Sequence, residues 1–461
     1  MSSARKTVPW LIVAAAIIVA VPVLAYLFAI VVNWRDDPPN TEARELASTP
    51  VPPPIEDAEN AYVYLLGFAA PLASDPVEEG TRRADRLRKI ASGATVPALP
   101  ADRGSAFDLA HIPPALEALL GPCGTADAGC VSALDAAVAA LPEQVQQQRP
   151  LIARYLALLR YRQWQEIANT DGSEPPPPYL EVRYARQLFL FDTWLLAAAG
   201  DAGEVRARLE ADLGFWRRVL VDTDSLLGKA VAAGFSGAQF EWGNLLLRRL
   251  PPERRADGVP DGWRKAQTAA ERSMRRALTH EWRLLTASLE QFKAKGSSGT
   301  APVTRSRPWT ERFNNALSLP LLQPQASANR YAAVFLKLDA LFSVPYAELP
   351  AALARAPETD TADSGIVART YNFIGDAIAE PDPAALADYG ARVADLEGAR
   401  RAALVTADLR ALTIPAELAG AMVPLAAVRD PYTGGPFGWT PQPAAVTFTG
   451  LTRGRTYTFL Y

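Results

Sequence analysis

Histidine and cysteine are nearly absent from this chain of 461 residues. It contains two histidines, His111 and His280, and two cysteines, Cys123 and Cys130. Cages of several histidines, zinc ribbons and iron–sulfur clusters need more ligands than these four side chains supply. We therefore expect no metal ion and no other cofactor.

An excess of charge of either sign is also absent. The 47 Lys and Arg residues and 50 Asp and Glu residues give a formal net charge of −3. Because proteins that bind nucleic acid present a strongly basic surface, we expect no nucleic-acid partner. Hydrophobic residues make up 49% of the chain, which is enough for a folded core and excludes a wholly disordered protein.

One long run without charged residues occupies residues 9–32. A helix of that length spans the roughly 30 Å core of a bilayer, so the run predicts a transmembrane helix. Arg5 and Lys6 precede it, which favours a cytoplasmic N-terminus over residues 1–8. We expect a single-pass protein of the bacterial inner membrane, with the lipid bilayer as a partner through residues 9–32 and the remaining chain in the periplasm.

A cleaved signal peptide is the alternative to this anchor. The small residues around Ala25 offer a cleavage point, but the apolar run continues to Val32. This is longer than the apolar region of about 7 to 15 residues that is typical of a signal peptide. We favour the anchor, and cleavage after Ala25 stays open. The absence of Asn-x-Ser/Thr sequons and the use of 40 Arg against 7 Lys suit a GC-rich bacterium.

The exported part begins with a proline-rich segment, residues 33–54, which predicts an extended spacer. Residues 55–429 predict a domain of helical hairpins, because apolar residues recur there at steps of three and four. Gly200 can end one helix and Asp201 can cap the next. One such apolar stripe consists of Val205, Leu209, Leu213, Trp216 and Leu220.

Only the end of the chain, residues 430–461, predicts β structure. Val446 and Phe448 alternate with threonines, and so do Tyr457 and Phe459. A two-stranded hairpin is marginal alone, so we expect it to pack on the helical body. The predicted fold class is therefore mainly α, with an N-terminal transmembrane helix, a periplasmic multi-helix body and a short C-terminal β-hairpin.

The two cysteines lie in a glycine-rich turn, GPCGTADAGC. In an oxidising compartment, Cys123 and Cys130 in such a turn predict a disulfide. A metal site that also uses His111 is the alternative. The spacing differs from the Cys-x-x-Cys of thioredoxin-like redox pairs.

Other candidate motifs have structural interpretations. Residues 234–238, GFSGA, lack the final glycine of a nucleophile elbow and lie in helical sequence, where small residues allow close packing. The basic run at residues 264–283 carries small or apolar residues at helical spacing, which predicts one packed and one solvated face. Binding to anionic headgroups or to an acidic partner is the functional alternative for this run.

Two pairs of aspartates are candidate acid–base groups. Asp222 with Asp224, and Asp360 with Asp363, lack the glycine and distal glutamate of a calcium loop. Helix ends and turns explain these pairs. A catalytic pair of carboxylates that meets only in the fold stays an alternative.

The segment DPYTGGP near the C-terminus suits a tight turn. Asp430 can cap it, Pro431 presets φ, Gly434 can adopt a left-handed conformation, and Pro436 gives an extended exit. The segment resembles the Asp-Pro-aromatic-x-Gly-x-Pro turn that precedes the final β-hairpin in a group of bacterial envelope proteins.

Further segments carry the same resemblance: NAYVYLLGF at residues 60–68, FWRR at 215–218 and NFIG at 372–375. With the cysteine pair, they resemble uncharacterised single-span envelope proteins of proteobacteria. The resemblance implies a tethered envelope protein and carries no assigned activity.

A related turn occurs in type II secretion pseudopilins, where it would imply a calcium-stabilised loop and a filament subunit. The N-terminus MSSARKTVPW lacks the prepilin cleavage site of that family.

The sequence thus predicts a membrane-tethered periplasmic module that binds or scaffolds, without enzymatic activity. Another envelope protein is the expected partner, and the ligand and oligomeric state stay open. The alternatives are an envelope hydrolase and an accessory subunit of a secretion or pilus system.

Overall fold

The computed structural model describes residues 4–94, 96, 112–168, 174–298, 317–355, 365–378 and 382–461. The chain forms two compact units. Unit 1 comprises Met1–Pro50, Glu281–Leu336 and Pro357–Pro383, and unit 2 comprises Val51–His280, Lys337–Ala356 and Ala384–Tyr461.

The described chain is mainly α-helical. The helices are α1 (Ala4–Val32), α2 (Thr41–Ala47), α3 (Ala61–Leu66), α4 (Pro76–Ala91), α5 (Pro114–Leu120), α6 (Ala128–Ala137), α7 (Leu141–Gln147), α8 (Arg149–Leu159), α9 (Tyr179–Ala198), α10 (Ala202–Asp222), α11 (Leu226–Arg249), α12 (Ala269–Arg272), α13 (Arg275–Ser298), α14 (Pro324–Ser343), α15 (Leu349–Ala354), α16 (Ile366–Thr370), α17 (Phe373–Ile378), α18 (Pro383–Ala411) and α19 (Ala416–Met422). The strands are β1 (Gly438–Pro441), β2 (Ala444–Thr449) and β3 (Thr456–Leu460).

The N-terminal helix corrects the predicted fold class. Among the residues that the structure describes, no helix combines the length and the apolarity needed to cross a membrane. The prediction of a transmembrane helix over residues 9–32 is therefore wrong. A helix that crosses the roughly 30 Å hydrocarbon core needs about 20 consecutive, predominantly apolar residues.

A helix also interrupts the segment that was expected to be an extended spacer, residues 33–54. The prolines of this segment lie on either side of α2, so residues 41–47 are free to form a helix. Asn40 caps it by accepting a hydrogen bond from the Ala43 amide at 2.8 Å. Leu46 is fully buried, so α2 packs as part of unit 1.

The helical hairpin of α9 and α10 begins the core of unit 2. Gly200, with φ of +82°, ends α9, and Asp201 accepts a hydrogen bond from the Glu204 amide at 3.0 Å to start α10. α11 then packs along α10, and their apolar faces bury large aromatic side chains. Trp216, for example, is completely buried, as the apolar stripe of α10 predicts.

The end of unit 2 is a three-stranded antiparallel sheet in the order β1-β2-β3. The prediction of a two-stranded hairpin is therefore wrong in strand number. Val446 of β2 pairs with Phe459 of β3 and with Trp439 of β1. β1 was missed because its sequence, GWTP, is short, lacks alternation and ends in Pro441.

Glycine allows this sheet to approach α18 closely. A β-carbon on Gly398 would overlap the ring of Phe448, which is 1% exposed. Phe448 also contacts the rings of Tyr432, Phe437 and Tyr457, with centroids 5.6 to 6.2 Å apart. The aromatic face of the sheet therefore covers α18 where that helix has no side chain.

We predict that Gly398→Ala destabilises the protein by about 1–3 kcal/mol, because the added methyl overpacks the Phe448 contact. Gly214→Ala is the matched control, since Gly214 is helical, exposed and has no atom within 4 Å of a built β-carbon. The control should gain about 0.5–1 kcal/mol from helix propensity. Urea denaturation measures both, and equal stabilisation by the two changes would contradict the packing argument.

Candidate functional site

The cysteine loop is joined by a disulfide between Cys123 and Cys130, as predicted. Both side chains are fully buried. Asp127 caps α6 inside the loop, accepting hydrogen bonds from the amides of Gly129 at 2.8 Å and Cys130 at 3.1 Å. Gln187 of α9 donates to the Cys123 carbonyl at 2.5 Å, which ties the loop to the helical core. His111, the third ligand of the metal alternative, lies outside the described residues.

The C-terminal turn is organised by Asp430. Its carboxylate accepts hydrogen bonds from the amides of Tyr432 at 2.8 Å and Thr433 at 3.3 Å. Its carbonyl accepts a bond from the amide of Gly434, which has φ of +68°. Pro431 and Pro436 flank the turn. These bonds fix the chain direction just before β1 and supply no group for chemistry.

The serine and aspartates that the sequence offers as candidates occupy structural positions wherever the structure describes them. Ser236 lies inside α11, is 1% exposed and lines a cavity of about 10 Å³, about the space of one water molecule. Asp224 binds the Arg276 guanidinium with contacts of 2.6 and 3.2 Å, and Asp222 lies 3.8 Å from it. Asp360 and Asp363 lie outside the described residues.

Several residues of the basic run at residues 264–283 are engaged within the fold. Arg264 lies 3.4 Å from Asp408, and Arg276 binds Asp224. Arg272 donates to the Ser343 carbonyl at 3.1 Å and lies over the Tyr346 ring.

Sequence reasoning missed a half-buried carboxyl, Glu166. Its Oε1 accepts hydrogen bonds from Trp164 Nε1 at 3.3 Å and from the Thr223 hydroxyl. Burial raises the pKa of Glu166, hydrogen bonds from Thr223 and Ser225 oppose the rise, and Asp224 adds to it. Nothing in the spacing of this segment signals the contact, because Glu166 and Thr223 meet only in the fold.

A second missed group is Lys229, which is 3% exposed in α11. Its ammonium donates to the carbonyls of Leu220 at 2.5 Å and Glu271 at 2.9 Å. Burial lowers the pKa of Lys229 to about 7, while Glu271 and Asp339 oppose the shift and Arg276 adds to it. The lysine holds the end of α10 against α12 through these carbonyls.

The largest exposed apolar feature in the described part of unit 1 is α1. We call its exposed side chains the α1 surface; they range from 42% to 71% exposed. They are Val13, Ile17, Ile18, Val19, Val21, Val23, Leu24, Leu27, Phe28 and Val31. Exposed apolar surfaces larger than a few hundred Å² mark sites of interaction with lipid or protein.

No protein-family model matches the chain, and no curated protein or solved structure is significantly similar to it. The resemblance to single-span envelope proteins of proteobacteria therefore stays a prediction.

We predict that Lys229 makes stability depend on pH above neutrality. The folded pKa of about 7 lies below the unfolded value of about 10.4, so between these values the unfolded chain binds the extra proton. The free energy of unfolding should therefore rise with pH in that window by up to about 1.4 kcal/mol per pH unit. Below pH 6, Lys229 should contribute no pH dependence.

Lys229→Met should lack this contribution, and the difference in unfolding free energy between wild type and variant, measured from pH 6 to pH 9, checks it. The exposed Lys265→Met is the control. Equal pH dependence in all three proteins would contradict the assignment.

Proposed function

We propose that this protein is a non-enzymatic binding or scaffolding module of the bacterial cell envelope, held at a lipid bilayer by the α1 surface. The observation that carries this proposal is the α1 surface itself. Ile18 and Val31 are each 71% exposed. Leaving such side chains in water costs about 25 cal/mol per Å² of apolar area, and contact with lipid removes that cost.

An oxidising location is supported by the cysteines. Both are joined in the disulfide, and the chain has no free cysteine. Disulfides persist in secreted and periplasmic proteins and are rare in the reducing cytosol. The pairing is therefore consistent with export of unit 2 to the envelope.

A binding role, as opposed to catalysis, is supported by the way buried charges are used. Arg186 contacts Asp212 at 2.7 Å and Arg217 contacts Glu271 at 2.5 Å, and all four side chains are at most 17% exposed. Each carboxylate is neutralised by an arginine that also bonds backbone carbonyls. Such pairs fix helices against one another, and they leave no free nucleophile or base at these positions.

The two alternatives gain less support. For an envelope hydrolase, Glu166 is the best placed acid, but its Oε1 is held by Thr223 and Trp164. For an accessory subunit of a secretion or pilus system, the C-terminal turn supplies only the backbone bonds of Asp430.

We predict that the full chain floats with phospholipid vesicles and that Ile17→Asp with Ile18→Asp lowers the floating fraction severalfold. Both side chains are more than half exposed, so the change leaves the core intact. The matched control replaces two exposed residues of unit 2, Leu412 and Leu425, by Asp. If the α1 variant floats as well as the control, lipid attachment through α1 is wrong.

We also predict that thiol-alkylating reagents fail to label the protein in cells that are acid-quenched and denatured, where the buried cysteines become accessible, until a reductant is added. Replacing Cys123 and Cys130 by Ser should lower the free energy of unfolding by about 2.5 kcal/mol, because the disulfide closes a short loop. Labelling without reductant would contradict an oxidising location. Mass spectrometry of alkylated protein measures the first effect, and urea denaturation measures the second.

A further inference from the structure

A second exposed apolar patch lies in unit 1, on the short helices α16 and α17. Ile366 is 73% exposed, Val367 is 55% exposed and Phe373 is 56% exposed. Trp34, just beyond the end of α1, is 76% exposed. We call these four side chains the α16–α17 surface. Large apolar and aromatic side chains at such exposure are unfavourable in water and favourable at a lipid interface.

Hydrogen bonds fix this patch to the end of α1. The Asn33 side chain, on a residue only 4% exposed, donates to the Thr370 carbonyl at 2.9 Å. It also accepts a bond from the Asn372 amide at 2.7 Å. Asn372 has φ of +54°, in the turn between α16 and α17. The α16–α17 surface is therefore held beside the α1 surface by buried polar contacts.

The turn is anchored from a second side. Asn372 Oδ1 accepts a bond from the Gln323 amide at 2.8 Å, and its Nδ2 donates to the Ser327 hydroxyl at 2.8 Å. Gln323 donates in turn to the Asn33 carbonyl. Gln323, Ser327 and Asn372 are each at most 2% exposed. The orientation of α16 and α17 against α1 is thus set by a closed network.

Two arginines border the patch. Arg35 and Arg369 are exposed, and neither guanidinium forms an ion pair within the described ranges. Nearby acids are engaged elsewhere: Asp36 caps the start of α14 through the amides of Gln325 and Ala326 at 2.9 and 3.0 Å.

Two further acids lie near this patch. Asp376 binds Arg330. Asp37 is hydrogen-bonded to Tyr371, and with burial it raises the pKa of that hydroxyl. Arg35 and Arg369 therefore remain available to bind an anion, while Asp36 and Asp37 keep their own negative charges.

We propose that the α16–α17 surface enters the headgroup region of the bilayer that α1 contacts, with Arg35 and Arg369 bound to phosphate oxygens of anionic phospholipids. This inference rests on the proposed function and extends it from attachment to orientation. Trp34 and Phe373 suit the interface because aromatic rings concentrate there, and basic residues beside an apolar patch are attracted to anionic lipids.

A lipid surface fits this patch better than a protein partner. The patch continues the α1 surface, which the proposed function assigns to lipid, so one apolar phase covers both. Its composition of aliphatic, aromatic and basic side chains is that of a membrane interface.

The test uses the full chain with one introduced cysteine, because both native cysteines are in the disulfide. Ile366→Cys and Phe373→Cys are labelled with an environment-sensitive nitrobenzoxadiazole probe. Leu425→Cys, at a position that is 71% exposed in unit 2, is the matched control. With vesicles of phosphatidylglycerol and phosphatidylethanolamine, we expect a blue shift and a severalfold rise in emission at 366 and 373 and no change at 425.

The arginines are tested in the labelled Ile366→Cys protein. Arg35→Gln with Arg369→Gln should reduce the emission rise on phosphatidylglycerol vesicles at least twofold. Arg160→Gln with Arg453→Gln, two exposed arginines of unit 2, should not. Millimolar inorganic phosphate should leave the rise unchanged if the phosphate belongs to the headgroup, and suppression by it would overturn the headgroup assignment.

Failure of this inference is distinguishable from failure of the proposed function. If the labelled proteins float with vesicles but the probes at 366 and 373 report water, this inference is overturned and attachment through α1 stands. If the full chain does not float at all, both are overturned. A rise at 425 equal to that at 366 would show unspecific adsorption and would also overturn the inference.

Discussion

The buried carboxylate of Asp395 is the interaction on which the end of unit 2 depends. This side chain is completely buried in α18, where an ionised group is tolerated only if hydrogen bonds replace its hydration. It accepts bonds from the Tyr432 hydroxyl at 2.9 Å, the Leu451 amide at 2.7 Å, and the Thr452 hydroxyl and amide at 2.7 and 3.1 Å. Burial and the Asp395 charge raise the pKa of Tyr432, so its hydroxyl stays a donor. One carboxylate thus joins α18, the Asp430 turn and the loop between β2 and β3.

The same principle recurs through unit 2, where arginines organise backbone carbonyls. Arg154 donates to the carbonyls of Phe68, Ala70 and Pro71, and so closes the loop after α3. Arg410, 2% exposed, bonds the carbonyls of Asn244 and Leu460, and so links α11, α18 and β3. Because a guanidinium offers five donors, one buried arginine can satisfy several backbone carbonyls at once. Charges used in this way specify packing.

Unit 1 has a different character. Its polar network, centred on Asn33, Gln323 and Asn372, is buried, whereas many apolar side chains face outward on α1 and on α16. This arrangement is unfavourable for a protein surrounded by water. It is favourable where an apolar phase covers the exposed helices, and the buried amides then keep those helices in a fixed relation to each other.

Local patterns in the sequence determined several features of this protein. The steps of three and four in α10, the Gly200–Asp201 boundary, the alternation in β2 and β3, and the disulfide in its glycine-rich turn all depend on near neighbours, so short-range rules suffice for them. Tertiary structure alone decided the contacts between distant segments, such as Asn33 with Asn372, because periodicity carries no information on which faces meet. It also decided that residues 41–47 are helical and that GWTP is a strand, since burial of Leu46 and pairing with β2 override weak local preference.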